Sequence, residues 1–421
     1  VTERPEYRLR EYGAVELAQQ SLTASDLVHL RALANDRLLS VQASSGGWRI
    51  TAGSVTGAVS LDRIRLVVEP KLPISGEQLI RWLCYSLRIA EVRTEVVRGW
   101  TTGPGGFADL VVAALLAECR ALAADGLRRD YVLRERVEPV LRGRLDATAQ
   151  LARRYGRIDR LHVRAHERDA DIWENRVCGT ALAAAAETVR DAGLLRAVTR
   201  TAASFPRYRN PETALRALTR ARYTRLNLRY RAAHTWAGLV LGGGGATDLL
   251  DLTEWRAGTL LLDTPALWES AVRRMCEESA RRLGGTTLAA SGARSLTVRG
   301  DLGRPRFLRP DVLVGLPNMD GLLPVDAKYK DYGAEAVSRD DVYQLLTYSA
   351  AYSGVRGGAV IVYPDGAGPA RRTLAVGGPA GRLGNITVVG VNPAADPEDA
   401  ERQVGAVLNE SAPTGRPGGA A

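Results

Sequence analysis

The chain has 421 residues, 45% hydrophobic and 25% charged, with a net charge of +10 and a pI near 9.7. This is the composition of an ordinary soluble globular protein, long enough for two or three domains with their own cores. No apolar run approaches the length of a membrane span and no signal peptide is visible, so a cytoplasmic protein is expected, and the positive charge favours an acidic partner such as nucleic acid.

Cys84, Cys119, Cys178 and Cys276 are widely spaced, form no CxxC pair, and read as reduced core residues. Residues 1–95 alternate short strand-like runs with turns. Trp48-Arg49-Ile50-Thr51, Gly57-Ala58-Val59 and Ile64 to Lys71 predict a small β-rich unit, and Leu22 to Leu39 an amphipathic helix capped near Ser25-Asp26. Lys71 ends the last of these strands and has no chemistry to assign, so a structural or partner-contact role is expected of it.

From 96 to 255 the pattern turns helical. Ala108 to Ala124 predicts a helix ending at Asp125-Gly126, and Asp171 to Arg176 opens another that runs to Val189. The 25 arginines between 120 and 231 fit either a track for a phosphate backbone or a solvated surface. Gly242 to Gly245 reads as a flexible hinge. No GxxxxGK[ST] phosphate loop occurs, so the chain is expected to bind no nucleotide itself.

The third unit, 256–395, opens with Thr264 as a helix cap and Pro265 at the first position. Leu267, Trp268, Ala271, Val272, Met275 and Cys276 form its apolar stripe. Glu269 lies off that stripe, placed either to supply a carboxylate to a metal or to favour the helix N-terminus electrostatically. Two strands follow, Arg309 to Val314 and Leu322 to Lys330, separated by the turn Asn318-Met319-Asp320-Gly321. Alternation puts Asp326 and Lys328 on one face, and Asp311 on the neighbouring strand reaches the same spot. Two carboxylates and an ammonium on one sheet face suit a Mg²⁺-dependent phosphodiesterase. Lysine occurs only at 71, 328 and 330, so Lys328 persists in a chain that uses arginine nearly everywhere else. For Lys330 a solvated charge at a strand end remains open. The helix Asp341 to Ala350 sets Gln344 and Tyr348 on one face, Gly358 to Pro364 and Asn385 to Gly390 read as strands, and 396–421 is expected to be a disordered tail beyond a short helical piece. The whole reads as an α/β and α+β multidomain protein: β-rich N-terminal unit, helical middle, α/β C-terminal core.

The Pro310-Asp311 and Asp326-Ala327-Lys328 pair resembles the PD-(D/E)xK nuclease motif. With Val67-Val68-Glu69-Pro70-Lys71, Gly126-Leu127 and Tyr131, Arg142-Gly143-Arg144-Leu145, Asp171 with Glu174-Asn175-Arg176, Leu267-Trp268-Glu269 and the Gln344-to-Tyr348 spacing, the chain resembles the McrC family over most of its length. McrC is the nuclease subunit of McrBC-type restriction systems that attack modified-cytosine DNA. The resemblance implies a restriction-endonuclease-like core, Mg²⁺ with Mn²⁺ as a possible substitute, double-stranded DNA carrying modified cytosine, and a hexameric McrB-like AAA+ GTPase docked through the N-terminal unit. It implies Asp311, Asp326 and the Ala327 carbonyl as metal ligands and Lys328 as the catalytic lysine. Gln344, Tyr348 and Glu269 would be auxiliary. A stand-alone RecB-type nuclease and a non-cleaving activator of an AAA+ GTPase are the rival readings.

Overall fold

In the computed structural model, the structure describes residues 4–72, 74–89, 106–189, 191–242, 259–298, 306–317, 319, 321–333, 335–353, 357–379 and 381–411. The expected glycine hinge at 243–245, the unit boundaries near 96 and 256, two residues of the 318–321 turn and the stretch 412–421 lie outside them.

The N-terminal unit contains β1 (Glu6–Arg10), β2 (Ala14–Ala18), α1 (Ala24–Asn35), β3 (Leu39–Ser44), β4 (Gly47–Ala52), β5 (Val55–Ser60), β6 (Arg65–Glu69) and α2 (Gly76–Leu87). Helix α1 is capped by Thr23, not at Ser25-Asp26. Its hydroxyl accepts from the Asp26 N–H while Asp26 accepts from the Thr23 N–H, and this reciprocal pair needs a residue three positions before the acid. Strands β5 and β6 divide two cores: Val59, Leu66 and Val68 face Leu30, Leu33 and Ile50, while Ala58 and Val67 face the helices of the rest of the chain. A strand covered on both sides is buried at successive positions, as Val55 to Val59 of β5 are. Gly57 has φ +139°, and a Cβ there would sit 1.9 Å from the Leu260 carbonyl, so only glycine admits the neighbouring strand.

The middle region is α3 (Gly106–Ala124), β7 (Asp130–Glu138), β8 (Arg144–Leu145), α4 (Ala147–Arg154), β9 (Leu161–Asp169), α5 (Trp173–Thr188), α6 (Ala192–Ala202), α7 (Pro211–Thr219) and α8 (Arg231–Leu241). The helices share one core through Val111, Leu115, Val177, Leu182 and Trp236. The purely helical expectation is corrected here, because β7 and β9 form an antiparallel ribbon extended by β8. Tyr131, Leu133 and Val137 share an exposed side of β7 with Glu135, opposite Val132 and Arg134, a period of two that high arginine content obscured. Several arginines of the region are occupied by carboxylates: Arg134 by Asp169 and Asp171, Arg136 by Glu167, Arg164 by Glu135 and Asp146, Arg176 by Asp171.

The C-terminal part is β10 (Thr259–Asp263), α9 (Thr264–Arg282), β11 (Thr286–Leu288), β12 (Leu296–Val298), β13 (Arg306–Leu308), β14 (Val312–Gly315), β15 (Leu323–Ala327), α10 (Arg339–Tyr352), β16 (Gly358–Pro364), β17 (Ala370–Gly378), β18 (Gly381–Val391) and α11 (Pro397–Ser411). Strand β10 pairs antiparallel with β5, completing the N-terminal sheet β1-β6-β5-β10. Asp263, not Thr264, caps α9 by accepting from the Ala266 N–H, and Pro265 follows where no helical N–H is needed. The second sheet has the order β11-β14-β15-β16-β18-β17, with β15, β16 and β18 parallel and β14 and β17 antiparallel to their neighbours. Helix α9 covers one face through Leu267, Trp268, Val272 and Met275 against Val312, Val325 and Val362, and Trp268 donates to the Val362 carbonyl at 3.1 Å. Helix α10 covers the other through Leu345 and Tyr348 against Ala359, Ile361 and Val388. No helix among the described residues is long and apolar enough to cross a membrane, and all four cysteines are buried and free.

The expectation of a disordered tail is also corrected. Helix α11 spans 397–411 and seals the far side of α9 with α2. Val404, Val407 and Leu408 enter the core, Glu401 accepts from the Tyr85 hydroxyl at 2.6 Å, and the Glu401 carbonyl accepts from Ser279 at 3.1 Å. Glu398, Asp399, Ala406 and Glu410 form the helix's outer face, while the apolar stripe at 400, 404, 407 and 408 faces inward and is short but sufficient. Leu408 is fully buried, so Leu408→Ala is expected to lower stability by about 2–5 kcal/mol. Denaturant unfolding checks this, and a loss near zero would mean α11 does not hold the fold together.

Candidate active site

The crossing of β14 and β15 sets the geometry. Val312 pairs with Val325 in an antiparallel register, which brings Asp311, just before β14, level with the end of β15. There Asp311 Oδ2 accepts from the Ala327 N–H at 2.6 Å, so the loop carrying one acid is tied to the strand carrying the other. Asp326 is only 2% exposed. Lys328 Nζ lies 2.6 Å from Asp326 Oδ2, an ion-pair contact off the line of a hydrogen bond. The alternation expected along this strand holds: Asp326 and Lys328 meet on the α10 side while Val325 enters the α9 core.

Helix α10 supplies the lysine's other neighbours. Lys328 Nζ donates to Gln344 Oε1 at 2.8 Å, Gln344 Nε2 donates to the Tyr348 hydroxyl at 2.9 Å, and Tyr348 donates to the Arg309 carbonyl at 2.9 Å. This chain runs from the ammonium back to the peptide two residues before Asp311. Gln344 and Tyr348 therefore brace both ends of the acid–lysine cluster, with Tyr348 buried and its helical spacing making the relay possible. Glu269 stands in the second turn of α9 and takes a 2.6 Å bond from Arg273 on the solvent side, yet its negative charge still acts on Asp311 and Asp326.

The sequence reading missed Asp341. It sits at the third position of α10, buried, where it takes bonds from Tyr332 and Ser338, each at 2.5 Å, and from Lys330 at 2.7 Å, and it faces Lys328 at 3.5 Å. The signal was present: Ser338 three residues before Asp341 is a capping pair, and two lysines close in sequence need a counter-charge. Lys330 is thus partnered, although half-exposed.

The electrostatics separate the acids by role. Burial pushes Asp311 upward, helped by the charges of Asp326 and Glu269 and opposed by the Ala327 N–H and Lys328. Burial also raises Asp326, against the pull of Lys328. Burial works against charge on Asp341 too, but the bonds from Lys330, Ser338 and Tyr332 hold it down at about 2. Burial opposes charge on Lys328, and the surrounding carboxylates outweigh it, leaving the lysine above its ordinary value. So Asp341 is a fixed anion that anchors cations, whereas Asp311 and Asp326 are crowded carboxylates whose charge lacks full compensation. Among the described residues no cluster of three metal-ligating side chains occurs. Two carboxylates and a backbone carbonyl nevertheless fit Mg²⁺, which is usually bound through one or two carboxylates and keeps several waters. A cation there would relieve the repulsion that burial creates.

A family model described as "McrBC 5-methylcytosine restriction system component" matches residues 50–364. No curated protein matches. Among solved structures, a chain of the refined half-complex from a tetradecameric assembly of Thermococcus gammatolerans McrB AAA+ hexamers with bound McrC is similar at 18% identity. The match has a TM-score of 0.68 and covers 96% of this chain and 99% of that one. A chain of the Thermococcus gammatolerans McrBC complex matches at 18% identity and a TM-score of 0.46, over 64% of this chain and 86% of that one. At such identity the first likeness shows the fold, and the second adds no argument. The family model spans more than half of the chain, and on that ground this protein belongs to the McrBC 5-methylcytosine restriction system component family.

Proposed function

We propose that the chain is the DNA-cleaving subunit of a modification-dependent restriction system, and that it hydrolyses phosphodiesters with Mg²⁺ at a PD-(D/E)xK-type centre. The observation that carries this is the convergence of Asp311, Asp326 and Lys328 at one sheet end, with a lysine held by named partners in a chain otherwise supplied with arginine. Asp311, Asp326 and the Ala327 carbonyl would hold the cation, which supplies Lewis acidity and charge neutralisation at the scissile phosphate. Lys328 keeps a compact positive charge beside the reacting phosphate, where charge builds in the transition state. Gln344 fixes the direction of that ammonium, Tyr348 fixes Gln344, and Asp341 holds the connector bearing Lys330 and Tyr332 against the helix. Glu269 adds negative potential at the cation site from the α9 side.

The partner we propose is a McrB-like AAA+ GTPase hexamer, with double-stranded DNA carrying modified cytosine as substrate. Support comes from the family membership and from a fold shared with a chain of an assembly in which McrB hexamers bind McrC. The net charge of +10 suits a polyanionic substrate.

Asp326→Ala and Lys328→Ala are each expected to abolish Mg²⁺-dependent cleavage of methylated DNA by the chain with its GTPase and GTP, while GTP turnover stays stimulated. Undiminished cutting by Asp326→Ala would sink the nuclease assignment. Cutting by the chain alone would replace it with an autonomous nuclease, and GTPase stimulation without any cutting would leave an activator.

The raised carboxylates make a second prediction. An acid whose folded pKa exceeds its unfolded value near 4 holds protons that the unfolded chain has released, so its contribution to stability falls as pH rises towards about 7. A cation needs both carboxylates ionised, so adding Mg²⁺ near pH 6 should release protons and raise the melting temperature. Calorimetry in two buffers of different ionisation enthalpy measures the release. It should vanish in Asp311→Asn, and an unchanged signal in that variant would move the cation elsewhere.

A further inference from the structure

Lys71 is the one lysine that the cleavage reading leaves without a task. It lies two residues beyond β6, in the N-terminal unit, and Lys71 Nζ donates to the Tyr329 carbonyl at 2.9 Å across 258 positions of sequence. The same ammonium stands 4.3 Å from the centre of the Tyr329 ring and 5.6 Å from that of Tyr12, so it is wedged between two aromatic faces. It is half-buried and engaged, which argues against a free partner-contact surface.

Tyr329 is the residue next to Lys328, and its position in the strand is what matters. The Lys328 N–H still donates to the Val362 carbonyl at 3.0 Å, the last rung that joins this segment to the sheet. Beyond it the chain leaves the sheet, and Lys71 supplies the next constraint. The other end of Tyr329 is also held by the N-terminal unit: its hydroxyl donates to Glu11 Oε1 at 3.3 Å, and Thr264, at the start of α9, donates to the same oxygen at 2.6 Å. Glu11 is 5% exposed, and its Oε2 has no hydrogen-bond partner among the described residues, so Lys71 provides the compensating charge for a buried carboxylate. Carbonyl and hydroxyl of one tyrosine are thus gripped from one side by a strand end and a buried acid, while Lys328 projects to the opposite face.

We infer that Lys71 is a positioning residue for the cleavage centre: by pinning the Tyr329 carbonyl it fixes the strand end from which Lys328 reaches Asp326 and Gln344. The inference rests on the cleavage reading above. It also gives the N-terminal sheet a direct mechanical hold on that centre, since one hydrogen bond joins the segment just after β6 to the carbonyl of the residue that follows Lys328. Methionine would fill similar space, but a cationic donor is needed both to donate to the carbonyl and to offset Glu11.

The test uses the full chain with its GTPase, GTP and methylated DNA. Lys71→Met keeps most of the stem between the two rings and removes the donor and the charge. Its single-turnover cleavage rate is expected to fall ~10–100-fold, the range seen when a group orienting a metal-site residue is lost. DNA affinity and GTPase stimulation should stay at parental values while the melting temperature falls as buried Glu11 loses its counter-charge, and Lys71→Arg, which retains a charged donor, should recover part of both. Parental cleavage by Lys71→Met overturns the inference. So does a rate loss matched by an equal loss of DNA binding and of GTPase stimulation, because that marks a general structural anchor. No recovery in Lys71→Arg would remove the donor role. Asp326→Ala run in parallel separates the two proposals: if it is inactive and Lys71→Met is not, only the Lys71 inference fails; if it cuts normally, the cleavage reading fails and carries the inference with it.

Discussion

Two carboxylates held side by side out of water are the constraint on which the rest of this structure depends. Asp311 and Asp326 repel each other, and burial amplifies that repulsion because little solvent screens it. A fold tolerates such a pair only where other contacts over-determine it. Here they do. The antiparallel register of β14 and β15 fixes the two backbones, the Ala327 N–H holds Asp311, and helices pack on both sheet faces. The stability lost to crowded charge is offset by the apolar layers of Val312, Val325, Val360 and Ile361 on either side, and on the proposed reading a bound cation would relieve it.

The choice of lysine at 328 follows from the same crowding. Its Nζ meets Asp326, Asp341 and Gln344 from different directions within 3.5 Å. An ammonium can serve three such partners because its donors are arranged about a point. A guanidinium presents its donors in one plane and matches a single carboxylate edge to edge. Elsewhere in the chain arginine does that planar work, as in Arg176 with Asp171, where two nitrogens meet two oxygens. The rarity of lysine is therefore informative at the level of chemistry: where three converging acceptors must be satisfied, substitution by arginine is geometrically excluded.

Much of the site was legible because it is local. Asp326 and Lys328 two apart on a strand, and Gln344 and Tyr348 four apart on a helix, are placed on common faces by backbone periodicity alone. Asp341 was not found because its role depends on three donors from 330, 332 and 338 folding back on a helix N-terminus, which periodicity does not express. The β7–β9 ribbon escaped for a different reason. There the apolar residues Tyr131, Leu133 and Val137 share the exposed face with Glu135 among arginines, so the strand lacks the apolar-in, polar-out alternation that marks one in sequence. Helix α11 was underestimated because its few apolar residues gain meaning only from the groove between α2 and α9 that receives them. Caps at Thr23 and Asp263 were each displaced by a residue or two, since several neighbouring side chains were competent and backbone geometry decided among them.

The parts of the cluster come from remote stretches of chain, and this shapes how site and fold relate. Glu11 and Lys71 hold Tyr329, with Thr264 on Glu11, while next door in sequence Lys328 reaches Gln344 and, through Tyr348, the Arg309 carbonyl. The N-terminal sheet closes only when β10 pairs with β5, and β10 leads straight into α9, which roofs the second sheet. A displacement of the first sheet therefore has no soft linker in which to dissipate along this route. It passes through the β10–α9 junction and through the Glu11–Tyr329–Lys71 grip to the residue beside Lys328. On the proposed reading, docking at the N-terminal unit would act on Lys328 through packed, hydrogen-bonded contacts, because the Glu11–Tyr329–Lys71 grip ties that unit to the residue beside it.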